Sequence, residues 1–190
     1  TTLGLAYGLV LSELMLSPLI PSVTARGGGI IYPIAHSLAE SYTNYPGRSP
    51  SKKTGGFLMQ VCLQSNVITS ALFITAIATN PLTVSLAKDV GGVEISWLMW
   101  AKAAIVPGIV NLLLMPLFLY FIYPPHVKHS EAAPAIAREK LMHMGKMKLS
   151  EKIMLMTFAV LIFLWIFGPA SSFKISATTT ALIGVVVLFI

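Results

Sequence analysis

The sequence predicts an all-α polytopic membrane protein, a re-entrant helical hairpin followed by transmembrane helices. Three observations carry that expectation. Hydrophobic residues make up 55% and charged residues 11% of the 190, and mean hydropathy is +0.79, whereas a soluble domain carries about 25% charged residues. Long apolar stretches alternate with short polar or basic connections. Near the start, two apolar stretches are separated by Pro21-Ser22-Val23-Thr24-Ala25-Arg26-Gly27-Gly28-Gly29, a run of small, hydroxylated and helix-breaking residues carrying one arginine. In hydrocarbon each unsatisfied backbone N–H or C=O costs several kcal/mol, so irregular chain at membrane depth persists only inside protein or along an aqueous cavity. An intramembrane arginine adds about 2.5–3.5 kcal/mol on insertion scales and marks a functional site by default. A short extramembrane turn between two helices is the competing interpretation of the same run.

Taken in order, residues 1–43 form the hairpin, with apolar arms at 3–20 and 30–39 on either side of the tip. The second arm is too short to cross about 30 Å of hydrocarbon as a helix. Residues 44–56 follow as a basic loop containing Pro46, Gly47, Arg48, Pro50, Lys52, Lys53, Gly55 and Gly56. Residues 57–123 hold two transmembrane spans. The first, 57–87, is overlong for the bilayer and polar in the middle, at Gln60, Gln64, Ser65, Asn66, Thr69, Ser70, Thr75, Thr79 and Asn80, so a broken or strongly tilted helix is expected. An ordinary span turning those groups toward neighbouring helices is the alternative. Lys88 to Ser96 forms a short loop with Asp89 and Glu94.

The second span, 97–123, has Trp97 and Trp100 at one end and Tyr120 and Tyr123 at the other as interfacial anchors, and Pro107-Gly108 and Pro116 are expected to kink it. Residues 124–152 form a second basic loop, with an amphipathic helix over 132–144 that offers Ile136, Leu141, Met142 and Met144 to the membrane surface. Residues 153–190 contain a further span, ended by Gly168-Pro169, and a truncated one that begins near Ile175. A hairpin returns the chain to its starting side, and two crossings follow. Both basic loops then share one side, which the positive-inside rule makes cytoplasmic. The chain opens at Thr1 and stops at Ile190 inside apolar segments, as a piece of a larger protein would.

Several functions are disfavoured. The net charge of +6 lies mostly between apolar spans, where it sets topology and does not build a nucleic-acid surface. Cys62 has no partner for an intrachain disulfide, and no secretory signal is visible. Gly27-Gly28-Gly29 lacks the Gly-Lys-Ser/Thr of a phosphate loop. His126, His129 and His143 sit in a polar loop without metal-site spacing, and His36 is expected to be structural. A membrane enzyme would need clustered acids or metal ligands, and Asp89, Glu94 and the loop histidines fall on opposite sides of the predicted topology. A non-transporting remnant of a carrier is a third alternative. Glu13, an acid within the apolar run Leu9 to Leu16, needs a partner or water; a structural pair and a proton-linked role are both open.

Hydroxyls, free carbonyls and helix ends at the membrane centre are materials for binding ions and anionic substrates. A helix beginning near Gly27 would aim its positive end at the tip, where a carboxylate would meet free N–H groups, the Thr24 hydroxyl and Arg26. At these residues the chain resembles the divalent anion:sodium symporters, most closely the 2-oxoglutarate/malate translocator branch. The resemblance is carried by Pro21 to Gly28, by Thr69-Ser70-Ala71-Leu72-Phe73-Ile74-Thr75-Ala76, by Tyr123-Pro124-Pro125 with its Ala/Pro-rich continuation, and by Trp165-Ile166-Phe167-Gly168. It covers most of residues 17–168.

The resemblance implies secondary transport of dicarboxylates of the 2-oxoglutarate, malate and succinate class, by symport or exchange and through an elevator-like movement. It also implies a homodimer of subunits with two inverted repeats, of which this chain is one, and a location in the plasma or inner membrane. Substrate would lie between two hairpin tips and two broken helices, with the second tip beyond Ile190. Ser22 and Thr24 match the outer positions of the family's Ser-Asn-Thr tip, where they would serve both substrate and sodium, the one ion implied; Val23 replaces the asparagine. Arg26, Gly27, Thr75, Thr79 and Asn80 complete the substrate-binding candidates. Ser65-Asn66 copies the first two letters of the tip motif but lies in the next span, and is not given the tip's role. Arg26 has two open roles: it supplies part of the positive charge of a bound sodium, favouring sodium-independent exchange, or it pairs with an acid such as Glu13 or with hairpin carbonyls and never meets substrate.

Overall fold

The computed structural model describes residues 1–43, 52–128, 138, 141–143, 145–168 and 177–189. Its helices are α1 (Thr2–Leu16), a π-helical segment (Ala25–Ile31), α2 (Tyr32–Thr43), α3 (Lys52–Leu72), α4 (Thr79–Gly91), α5 (Trp97–Ile122), α6 (Leu149–Phe167) and α7 (Ala177–Phe189). No strand occurs among the described residues. The chain divides into two units, one of Thr1–Ile95 with Met99–Pro134 and the other of Ser96–Leu98 with Ala135–Ile190.

In the first unit α1 opens on Thr1, whose hydroxyl accepts from the Gly4 N–H at 3.1 Å. It ends where Pro18 and Pro21 remove two backbone donors. Helix resumes at Val23, four residues before the expected Gly27, because Ser22 Oγ accepts from the Ala25 N–H at 3.2 Å and caps the new first turn. The glycine run then widens into the π-helical segment, closed by a Tyr32 N–H bond to the Gly27 carbonyl, and continues as α2. The second arm is therefore helical well beyond 30–39.

Helix α3 begins at Lys52, so 52–56 belongs to the helix and not to the expected loop; residues 44–51 lie outside the described residues. Gly55 and Gly56, which read as loop residues, mark close approaches instead. A Cβ on Gly55 would stand 3.3 Å from Ala39 Cβ, and one on Gly56 3.1 Å from the Tyr123 hydroxyl. Helix is lost after Leu72 and regained at Thr79. Asn80 Nδ2 donates to the Ser70 and Phe73 carbonyls at 2.8 and 2.9 Å, which the break would otherwise strand. Helix α4 runs to Gly91 and stops at Gly92, whose φ of +66° suits the left-handed cap. Lys88 and Asp89 thus lie on a helix, not in the expected loop. Lys88 Nζ is 2.9 Å from Glu94 Oε1, a hydrogen bond that lowers the acidity of the ammonium and holds the Glu94 carboxyl below its usual range.

Pro107 and Pro116 lie inside α5 and the helix continues through both, with Asn111 Nδ2 donating to the Pro107 carbonyl at 2.8 Å. Ala6, Leu9, Val10, Ile31, Ala35, Phe57, Leu58, Val61, Cys62, Leu72 and Leu112 form one buried cluster that binds α1, the second hairpin arm and α3 together, with α5 contributing Leu112. Thr2 donates to the Val127 carbonyl, and the Lys128 carbonyl accepts from Thr2 N–H at 3.0 Å, so the end of this unit returns to its beginning.

The second unit packs α6 on α7, where a Cβ on Gly184 would come 2.7 Å from Leu161 Cδ1. Helix α6 starts four residues earlier than Ile153, since the Lys148 N–H donates to the Glu151 carboxylate at 2.8 Å. The amphipathic helix expected over 132–144 falls outside the described residues except for Arg138 and Leu141 to His143, which are helical. Helices α5 and α6 are long and apolar enough to cross a membrane. Phe121 on α5 is 78% exposed and Met156 on α6 is 64% exposed, a distribution suited to lipid or to further protein and not to water.

Candidate functional site

Two helix breaks meet in the first unit, one between α1 and the second hairpin arm and one between α3 and α4. Arg26 joins them. Its Nη1 donates to the Ile20 carbonyl at 2.7 Å and to the Ala76 carbonyl at 3.0 Å, one oxygen from each break. Nη2 donates to Ser70 Oγ at 2.9 Å, and Nε donates to Glu13 Oε1 at 2.6 Å. Arg26 and Glu13 are both fully buried. Beyond α1 and α3, where carbonyls lack helical partners, a guanidinium also meets the negative poles of the two helices.

Glu13 Oε1 is the hub of the cluster. Besides Arg26 it accepts from Asn66 Nδ2 at 2.7 Å and from Thr69 Oγ1 at 3.4 Å, while Oε2 has no hydrogen-bond partner among the described residues. Asn66 Nδ2 also lies 3.3 Å from the Val23 carbonyl at the tip. Thr75 Oγ1 donates to the Pro18 carbonyl at 3.0 Å, and Ser17 Oγ donates to the Thr69 carbonyl at 2.7 Å, so two further bonds tie the hairpin to the broken helix.

The profile of the sodium:sulfate symporter transmembrane region matches residues 1–190. The chain belongs to that family. It is 52% identical over 189 residues to a putative malate transporter of Bacillus subtilis, covering 100% of this chain and 39% of the relative. It is 45% identical over 190 residues to chloroplastic dicarboxylate transporter 1 of Spinacia oleracea, covering 100% of this chain and 33% of the relative. The corresponding Arabidopsis thaliana protein is 46% identical over 190 residues, with 100% and 34% covered. The chain thus spans well under half the length of these relatives. The resemblance read at Pro21 to Gly28 and at Thr69 to Ala76 holds at family level, and the chain is part of an integral membrane protein.

In this sodium:sulfate symporter family member the candidate residues separate into two groups. Ser22 and Thr24 stand at the start of the second arm, Ser22 partly buried and Thr24 exposed, with the N–H groups of the first turn beside them. Thr79 is exposed at the start of α4. Arg26, Thr75 and Asn80, by contrast, spend their donors on carbonyls of the two breaks or on Glu13 and Ser70. Of the two roles left open for Arg26, the geometry displays the pairing with Glu13 and hairpin carbonyls. Because Glu13 balances its charge, Arg26 gives the tip fixed hydrogen bonds and no net charge. Gly27 packs against Asn66, where an added Cβ would fall 2.9 Å from Nδ2. His36 Nδ1 lies 3.7 Å from Glu40 Oε2 on the exposed face of α2.

Of the other participants, the sequence marks Asn66, Thr69 and Ser70 as polar positions in the middle of the span and does not mark Ser17. The spacing Asn66, Thr69, Ser70 is i, i+3, i+4, which puts three polar groups on one face of α3, toward the acid and base of the hairpin. Among the described residues no three His, Cys, Asp or Glu side chains gather as a metal site.

Proposed function

We propose that the complete protein is a secondary carrier of dicarboxylates of the 2-oxoglutarate, malate and succinate class. The observation that carries this is the meeting of two helix breaks, clamped by Arg26, with the Ser22 and Thr24 hydroxyls left at the N-terminus of the resumed helix. Such a terminus offers N–H groups and the positive pole of a helix to one carboxylate. Relatives named as malate and dicarboxylate transporters support the substrate class. Ser22, Thr24 and the backbone at Gly27 are the substrate contacts in this half, with Thr79, exposed at the start of α4, as a further candidate. A homodimer in the plasma or inner membrane completes the reading.

Ion coupling is the finer part. The family description names sodium, yet in this half the Ile20 and Ala76 carbonyls already accept from Arg26, which favours exchange of one dicarboxylate for another without sodium here. The test is counterflow by the complete protein in liposomes, with and without a sodium gradient. Thr24→Val and Ser22→Ala should each raise the half-saturating dicarboxylate concentration by about 5-fold or more, the effect of leaving a buried hydrogen-bond partner unmet. Unchanged transport in both variants overturns the tip assignment, and strong sodium dependence of the wild type overturns the exchange mode.

A further inference from the structure

Asn66 is 5% exposed and reaches the tip from α3, as Ser70 does through Arg26. Its amide nitrogen has two acceptors, Glu13 Oε1 at 2.7 Å and the Val23 carbonyl at 3.3 Å. Both are acceptor oxygens, the carboxylate one already accepting from Arg26, so the orientation with the NH2 toward them is the one the network selects; the flipped amide would set oxygen against oxygen. Packing adds a second constraint. A Cβ on Gly27 would stand 2.9 Å from Asn66 Nδ2 and 3.1 Å from its Cγ, so the amide lies directly against the backbone of the first turn of the arm. One planar group, oriented by a buried carboxylate, thus bears on the tip at Val23 and at Gly27, on both sides of Thr24.

We infer that Asn66 is a positioning residue for substrate. Held by Glu13, its amide sets the direction in which the first turn of the second arm presents the Ser22 and Thr24 hydroxyls. The inference rests on the proposed substrate role of those hydroxyls. Asn66 acts through them and does not touch the dicarboxylate. The Glu13 oxygen that anchors Asn66 also anchors Arg26, so the same carboxylate fixes the tip from α3 and from the arm itself.

The complete protein in liposomes tests this by dicarboxylate counterflow, with KM and the maximal rate per inserted protein measured separately. Asn66→Ala should raise KM by about 5- to 150-fold, the equivalent of about 1–3 kcal/mol for an unmet hydrogen bond, with a much smaller change in maximal rate. Gly27→Ala keeps every hydrogen-bonding group but pushes the amide aside, and should reproduce the KM effect. It decides the matter if Asn66→Ala does not accumulate in the membrane. A KM unchanged in Gly27→Ala, or a loss confined to the maximal rate, overturns the inference. A readout without transport separates this from the proposed function: in a Cys62→Ala background, Ala25→Cys at the exposed tip should react with a thiol reagent at a different rate once Asn66→Ala is added. A wild type without counterflow removes the dicarboxylate reading, and equal labelling rates remove the role of Asn66.

Discussion

Glu13 offers one oxygen to three donors and leaves the other without any. Such a carboxylate is held in place only while its cation stays, since a buried charge that loses its partner costs about 3–5 kcal/mol. Arg26→Gln and Glu13→Gln should each lower the thermal midpoint of the complete protein in detergent, measured at fixed lipid and pH. Because each single change strands the other group, the double variant should lose clearly less than the sum of the two, with a coupling of about 0.5–3 kcal/mol. Strict additivity would show that the pair does not exist in the folded protein. Both residues were legible in the sequence as charges out of place in apolar surroundings. Their pairing was one of the two roles the sequence left open for Arg26, and the sequence did not choose between them, because a helix break separates the two residues and helical spacing says nothing across a break. Asn66 was missed for a different reason: next to Ser65 it resembled a displaced tip motif, and its true partner, Glu13, lies 53 residues away.

At the scale of elements, close packing decides which glycines matter. A Cβ on Gly108 in α5 would collide with Leu72 Cδ1 at the end of α3, and Leu72 is itself buried. Gly108→Ala should therefore destabilise the complete protein, by about 1–3 kcal/mol for an overpacked contact. Gly8→Ala, on the exposed side of α1 with nothing within 4 Å of the added carbon, should be neutral or stabilising through helix propensity. Thermal midpoints in detergent compare the two, and equal effects would remove the α3–α5 approach. Composition alone marks Gly55, Gly56 and Gly108 equally as breakers. What distinguishes them is a neighbouring helix, which a single sequence does not show. The breaks themselves were legible, because prolines and hydroxyls cluster there. The exact restart at Val23 was not, since it depends on the Ser22 cap and on the π-helical segment. Seven residues in that wider winding alter the phase of everything beyond them. Removing one residue would let an ordinary helix form there and leave α2 near its present phase, because a π-helical turn takes up about one residue more than an α-helical turn.

For the whole molecule, the placement of the two basic segments remains a proposal about sidedness: Lys52 and Lys146 in the cytoplasm, Glu94 outside. Cysteine at each position in a Cys62→Ala background of the complete protein, labelled in intact cells with a membrane-impermeant thiol reagent, checks it. The Glu94 position should react and the two lysine positions should not; labelling at Lys52 or Lys146 without permeabilisation reverses the assignment. The bonds through Arg26, Thr75, Ser17 and Asn66 have a mechanical consequence. A pair of broken helices would ordinarily be two hinges, but here flexing at either one would pull Arg26 from a carbonyl and uncover buried polar atoms at about 1–3 kcal/mol apiece. The hairpin and the broken helix are therefore stiff with respect to each other. Under the proposed carrier function, the excursion that carries substrate would move them as a single cargo body and be absorbed by chain outside the clamp.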